Sequence, residues 1–429
     1  MTQRSRGRRL ISSFPRLEYA LRLLKWRVFH ALEKAYARYL KPGRVLGDPY
    51  EVVYISPSWV RNKAYAPKHI DKPGEVTGLV LDGDWDRDVG AVSDFTIVKA
   101  ARDRFRDDKR WEDTEYFAAL RDRMRDGEAP YGMKTDDDLQ EHLGYIESLC
   151  ESIRTKGYRR QSQMPIDANG KFPRDEREVV VHINRHGQYN FAGGRRRLAI
   201  ALALGIEKIP VKVNIRHKEW ESFRHEVLRE ADRKGGRVTQ PIVHPDLSFV
   251  DSKHDDGRLE MMLSDLQGRT GRLLDIGCEW GYFCHRFEEA GFDCTAVERN
   301  IKPAYFLRKF RRALHRRFEI VNASIFDLQG TLSYDVVLAL NIFHHFLKTK
   351  EHHRLLIDLL NRLDTDIMYF GPHNTGEAQM KGAYRNLDHG DFVNLITENS
   401  VLCNQKLLGH SRDGRPLYKI WRAAEGRAE

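Results

Sequence analysis

The stretch RLLDIGCEWGYF, residues 272–283, closes an apolar run on Asp275 and sets Gly277 and Gly281 around a turn before a helix-like continuation. Glycine is required where a backbone must pass close to a ligand, and the free amides of the helix that follows attract polar and anionic groups. A second apolar run, DCTAVERN, ends on Glu298, 23 residues after Asp275. That spacing suits a carboxylate that grips the two hydroxyls of a ribose. The glycines do not form the full dinucleotide fingerprint, and no Lys-Ser/Thr pair follows to make a phosphate-binding P-loop. The chemistry these residues could do is therefore the binding of a nucleoside-containing cofactor.

Histidines come next. His344 and His345 directly follow the apolar run YDVVLALN, and His373 stands in YFGPHN. Imidazoles at strand ends serve as general bases when an acceptor must lose a proton, or as pocket-wall and helix-capping groups. A further polar stretch is FAGGRRRLAIALALG, residues 191–205. There Gly193 and Gly194 free the backbone to wrap an anion, Arg195 and Arg196 offer planar donors, and a helix beginning near Leu198 adds its dipole. A charged surface turn before a core helix is the other reading of the same residues. Asp84 and Asp86 in GLVLDGDWDR are metal or base candidates, or simply turn residues. The five cysteines include no Cys-x-x-Cys pair, so no metal site is expected and the pattern is that of reduced, cytoplasmic cysteines.

The elements that must position these groups divide the chain. From residue 256 to 429, short apolar runs alternate with amphipathic ones, which predicts an α/β domain with a parallel sheet covered on both faces. Its tail, VLCNQKLLGHSRDGRPLYKIWR, predicts two strands joined by an Asp-Gly turn. Residues 46–235 mix short β-like runs with helices and predict a smaller α+β domain, and residues 236–255, polar and holding Pro and Gly, predict a linker. Residues 1–45 carry twelve Lys/Arg against two Asp/Glu, so their net charge equals the +10 of the whole chain and the remainder is formally neutral. Leu17, Leu21, Leu24, Val28, Leu32, Tyr36 and Tyr39 recur there at helical spacing, predicting a basic amphipathic helix suited to a membrane surface or a partner. No apolar run of about 18 residues occurs, so no spanning helix is expected.

LLDIGCEWGYF, AVERN, VNASIFDL and YDVVLALNIFHHF, in this order over about 170 residues, resemble the motifs of class I S-adenosylmethionine-dependent methyltransferases. The resemblance implies a Rossmann-like seven-stranded sheet. It implies that Asp275 anchors the glycine loop, that Gly277 and Gly281 admit S-adenosyl-L-methionine, that Cys278 and Glu279 line it, and that Glu298 takes the ribose. Ser324 stands where the family often has Asp against the adenine amine, and Asn341 closes the fourth strand beside the sulfonium. The strand end LNIFHHF lacks the Pro-Pro-aromatic run of enzymes that methylate amines of DNA bases and is similar to that of kinase-methyltransferases that cap bacterial surface polysaccharides. The implied acceptor is a small molecule or glycan-related.

The residues from LGYIESLCESIRTKG through EVVVHINRHGQYNFAGGRRRLAIALALGIEKIPVKV resemble the ParB/sulfiredoxin superfamily over about 75 residues. In that superfamily the Gly-Arg box binds nucleotide phosphates, and some members hydrolyse the nucleotide or transfer phosphate from it. The resemblance implies a nucleoside di- or triphosphate at Gly193, Gly194, Arg195 and Arg196, although Gly194 stands where ParB proteins usually have Glu. The expected protein is a cytoplasmic methyltransferase fused to a ParB-like domain, peripheral at the membrane through residues 1–45. The rival is a DNA-binding or DNA-modifying ParB-like protein. The neutral charge beyond residue 45 and the missing Pro-Pro run disfavour a nucleic-acid partner.

Overall fold

The computed structural model describes residues 52–64, 79–87, 89–163, 178–254 and 257–423, together with Val28. The predicted basic helix of residues 1–45 thus lies, Val28 aside, outside the described residues. The chain divides into two compact units, residues 1–225 and 226–429.

The first unit holds strands β1 (Val52–Ile55), β2 (Asn62–Lys63), β3 (Leu79–Leu81), β4 (Val179–Ile183), β5 (Tyr189–Gly193) and β6 (Ile209–His217). Helices α1 (Thr96–Phe105), α2 (Glu115–Arg125) and α3 (Asp136–Lys156) precede β4, and α4 (Arg195–Ala203) joins β5 to β6. The sheet runs β1-β6-β4-β5-β2, with β3 also paired to β6. Every residue of β6 is buried, as expected of a central strand covered on both faces. The turn after β3 is structural: Asp84 and Asp86, the metal or base candidates, both bind the Arg185 guanidinium, at 2.9 and 2.6 Å.

Gly194 caps α4 in the left-handed region, φ 82°. A Cβ there would stand 2.8 Å from the Val179 Cα, a backbone atom that cannot swing aside. This is the physical reason for glycine where the ParB pattern carries Glu. Gly194→Ala is expected to cost about 1–3 kcal/mol, from left-handed strain and the collision together; a urea melt of the full chain showing no loss would contradict it.

The second unit begins within α5 (Lys218–Arg233), and its elements are α6 (Gly257–Leu266), β7 (Arg272–Ile276), α7 (Tyr282–Glu289), β8 (Asp293–Val297), α8 (Ile301–Ala313) and β9 (Glu319–Val321). Then come β10 (Leu332–Leu340), α9 (Lys350–Arg362), β11 (Leu363–Gly371), α10 (His389–Glu398), β12 (Asn404–His410) and β13 (Pro416–Trp421). Seven strands form one sheet in the order β12-β13-β11-β10-β7-β8-β9. The five from β7 to β11 are parallel, whereas β13 pairs antiparallel to β11 and to β12. The Asp413-Gly414 turn joins the last two, with Gly414 at φ 80°.

Two apolar layers cover this sheet. Leu274, Ile276, Val337 and Phe370 face a layer with Leu356, Leu359 and Phe392, while Leu273, Ala296, Val336 and Tyr369 face one with Phe283, Phe287 and Leu307. The chain leaves β7 toward β8 and β9 and then returns to the other side at β10, so the strand order reverses beside β7. In open α/β sheets, ligands bind outside the strand ends at such a reversal. The expected linker is folded: Val238, His244, Asp246 and Leu247 are buried.

Candidate cofactor and acceptor site

A cavity of 730 Å³ opens at that reversal, lined from the glycine loop by Gly277 and Glu279 and from the end of β8 by Glu298. β7 delivers the loop because four of its five residues are buried and fix its end in the sheet. Gly277 lies at φ 75°, and a Cβ there would meet the Ile342 side chain at 2.7 Å. Glycine keeps this wall open and takes the left-handed conformation without the strain a side chain brings. Gly281, at φ 79°, caps α7 and is not among the lining residues.

The backbone amides of the loop have partners on β8 and at its end. The Gly277 and Cys278 amides donate to the Val297 carbonyl at 2.9 and 3.1 Å, and the Glu279 amide donates to the Glu298 carboxylate at 3.2 Å. The Asp275 carboxyl lies beneath the cavity floor, 2% exposed, and its side-chain hydrogen bond comes from the Cys284 thiol at 3.6 Å. Burial, reinforced by the neighbouring Glu298 charge, pushes Asp275 up to about 7. Cys278 does not line the cavity either: its side chain is fully buried in the layer with Phe283 and Leu307.

Glu298 is 5% exposed and accepts from the Asn300 amide at 2.7 Å through its other oxygen. Its carboxyl is raised above the usual carboxylate range by burial, against these two amide bonds. Glu279 pairs with Lys234 at 3.1 Å. Ser324 lines the cavity and caps a short turn: its hydroxyl accepts from the Phe326 amide at 3.4 Å, and its own amide donates to Asp327 at 3.0 Å.

Asn341 also lines the wall, in the left-handed region at φ 56°. Its amide is bound to the Gly371 carbonyl at 2.8 Å, but its side-chain oxygen Oδ1 is buried with no hydrogen-bond partner. A buried acceptor without a protein donor is satisfied by an ordered water or a ligand.

His344 and His345 occupy the turn Phe343–Leu347 after β10, and both line the cavity. Their ring centroids are 4.0 Å apart, and His373 stands 5.2 Å beyond His344. His373 itself is fully buried and bound through Nε2 to Asn386 at 3.0 Å. His344 is 3% exposed, and neither ring nitrogen has a partner. Burial, then the fields of His345 and His373, bring His344 down to about 3, and His345 is lowered by burial and by Lys348 and Arg299. Both rings are accordingly neutral at pH 7, and the two His344 ring nitrogens are buried without a hydrogen-bond partner.

Several lining residues carry no sequence signal. Thr239, Gln240 and His254 come from the stretch expected to be a linker, and Arg258, Arg299, Lys348, His352 and Arg415 come from separate elements. Only the folded chain gathers them. Among the described residues, no cluster of His, Cys, Asp and Glu could hold a metal ion, and no helix is long and apolar enough to cross a membrane.

In the first unit, α4 starts at Arg195, three residues before the expected start near Leu198, and the guanidiniums of the Gly-Arg box lie on aromatic rings. Arg195 sits over Phe95 at 4.1 Å and Arg196 over Tyr131 at 4.8 Å and Tyr145 at 5.4 Å, while Arg197 is 5.9 Å from Tyr158. Face stacking fixes a guanidinium while leaving its edge donors in plane.

Comparison with known proteins finds one family model over part of the chain. Residues 247–368 match a family model described as a methyltransferase domain. No curated protein sequence matches the chain. Solved structures similar to it include the bifunctional kinase-methyltransferase WbdD, at 20% identity and TM-score 0.35 over 45% of this chain and 46% of that one. Others are magnesium protoporphyrin IX methyltransferase (ChlM) from Synechocystis PCC 6803 with bound SAM, at 14% and 0.32 over 39% of this chain and 77% of that one, and N-methyltransferase NodS from Bradyrhizobium japonicum WM9, at 14% and 0.32 over 39% and 94%. The chain spans about half the length of WbdD.

Proposed function

We propose that the methyltransferase domain carried by residues 247–368 uses S-adenosyl-L-methionine to methylate a small-molecule or glycan-related acceptor. The observation that carries this reading is the cavity at the sheet reversal, where Gly277 leaves room, Glu298 presents a buried carboxylate, and Asn341 offers an unpartnered acceptor. These residues fit the cofactor: Glu298 would hold the ribose hydroxyls, Ser324 would face the adenine, and Asn341 would stand beside the sulfonium. When bound, the cofactor supplies an electrophilic methyl group whose leaving group is a neutral thioether.

The protein's part is alignment and proton handling. An acceptor atom that carries a proton would have to lose it on methylation. His344 and His345, uncharged at pH 7, face the cavity and receive it. Paired substitution His344→Phe with His345→Phe is expected to lower kcat about 10²–10⁴-fold, the span of general-base catalysis, with cofactor affinity unchanged in calorimetry. Undiminished turnover would remove both from the reaction.

In the first unit we read the Gly-Arg box as a phosphate grip for a nucleoside di- or triphosphate. Support comes from Gly194 at the start of α4 and from three arginines whose faces rest on aromatic rings while no carboxylate pairs with them among the described residues. The nucleotide is sensed, hydrolysed or used as a phosphoryl donor. Residues 1–45 supply a basic surface for peripheral contact with an anionic membrane from the cytoplasmic side. Isothermal titration of the full chain with S-adenosylmethionine tests the central claim. Saturable binding that competes with S-adenosylhomocysteine is expected, and a folded chain that gives no binding heat would overturn it.

A further inference from the structure

The cavity lining is unbalanced in charge. Two carboxylates, Glu279 and Glu298, face four cations, Arg258, Arg299, Lys348 and Arg415. Arg415 is answered by Glu377 at 3.0 Å and by Asp413 at 3.5 Å. Among the described residues, the Arg299 and Lys348 side chains make no ion pair or hydrogen bond, although their backbones are held. The Arg299 carbonyl accepts from Asn322 at 3.4 Å, and the Lys348 carbonyl accepts from the Tyr384 amide at 3.1 Å. Lys348 directly follows the turn that carries His344, whose buried ring has two unpartnered nitrogens, and Arg299 lines the same cavity from the end of β8.

We propose that Arg299 and Lys348 hold an anionic group of the methyl acceptor, a phosphate or a carboxylate, beside His344 and His345. The inference rests on the methyltransferase reading of the same cavity and names the acceptor's charge class. Three observations converge on it. Cations lining a concave site with low-dielectric walls concentrate anions there. A buried imidazole with open nitrogens is satisfied by a ligand's oxygens or hydroxyl. The field at the histidines also has the matching sign: burial first lowers the proton affinity of His345, and Lys348 and Arg299 lower it further, with Glu377 acting oppositely. An anion beside the two cations offsets their part of that lowering.

The test uses the full chain saturated with S-adenosylhomocysteine and titrated with glucose 1-phosphate, glucuronate, inorganic phosphate or glucose. One or both anionic sugars are expected to bind at least tenfold more tightly than glucose, more weakly as salt rises, and at least tenfold more weakly in the double variant Arg299→Ala, Lys348→Ala. Lys406→Ala, at an exposed strand position outside the cavity, serves as the control. Glucose 1-phosphate against glucuronate separates phosphate from carboxylate, and inorganic phosphate reports whether the anion suffices. Equal binding of glucose, or undiminished anion binding in the double variant, overturns the inference alone. A folded chain that binds no S-adenosylhomocysteine overturns the methyltransferase reading and the inference with it.

Discussion

Replacing Glu298 by glutamine is expected to weaken S-adenosylmethionine binding by about a hundredfold, because hydrogen bonds to a charged group contribute roughly 1.5–3 kcal/mol each and tenfold in affinity is about 1.4 kcal/mol. Both carboxylate oxygens already accept backbone amides, one from Asn300 and one from Glu279, and the residue lines the cavity. An amide side chain must turn its NH2 toward one of those donors. It therefore either loosens the glycine loop at Glu279 or releases Asn300 at the start of α8, and in both cases it offers the ribose one acceptor fewer. Calorimetric titration measures the affinity, and a urea melt without cofactor measures the cost to the loop. Unchanged affinity would move the ribose contact elsewhere. Equal losses in both measurements would make Glu298 a brace for the loop and no more.

The parts of this site that lie within one strand and its following turn were legible from sequence. The run Leu273–Leu274 before Asp275, the glycines around the turn, Glu298 at the next strand end and the histidines after β10 all follow from local pattern. What escaped depends on pairing across the sheet. That the Val297 carbonyl holds the Gly277 and Cys278 amides is set by the parallel register of β7 on β8, Ile276 beside Val297. No spacing rule states it. Arg258, Arg299, Lys348 and Arg415 lie up to 157 residues apart in the sequence, and only the fold brings their charges to one cavity. The arginines of the Gly-Arg box show the same limit, since the rings they rest on, Phe95, Tyr131, Tyr145 and Tyr158, all belong to earlier segments.

Asp275→Asn is expected to stabilise the protein at pH 8 and to give no such gain at pH 4. The native carboxyl has its pKa pushed up to about 7 by burial, against an ordinary value of 3.8. Between those values the folded chain still holds a proton that the unfolded chain has released. Stability therefore falls as pH rises through this window, and the whole penalty stands above pH 7. Each pKa unit corresponds to about 1.4 kcal/mol, so the variant, which never ionises, should gain a few kcal/mol at pH 8 relative to the native chain. At pH 4 the native group is already neutral in the fold, and asparagine gains nothing while it disturbs the Cys284 contact. Because Asp275 lies beneath the cavity floor and Glu298 faces the cavity, the variant should lose less cofactor affinity than Glu298→Gln. Denaturant midpoints at the two pH values, read beside calorimetric affinities, check both parts. A variant less stable than the native chain at pH 8 would mean that the buried carboxylate is held by charge-assisted bonds, and that Asp275 braces the loop in its ionised form.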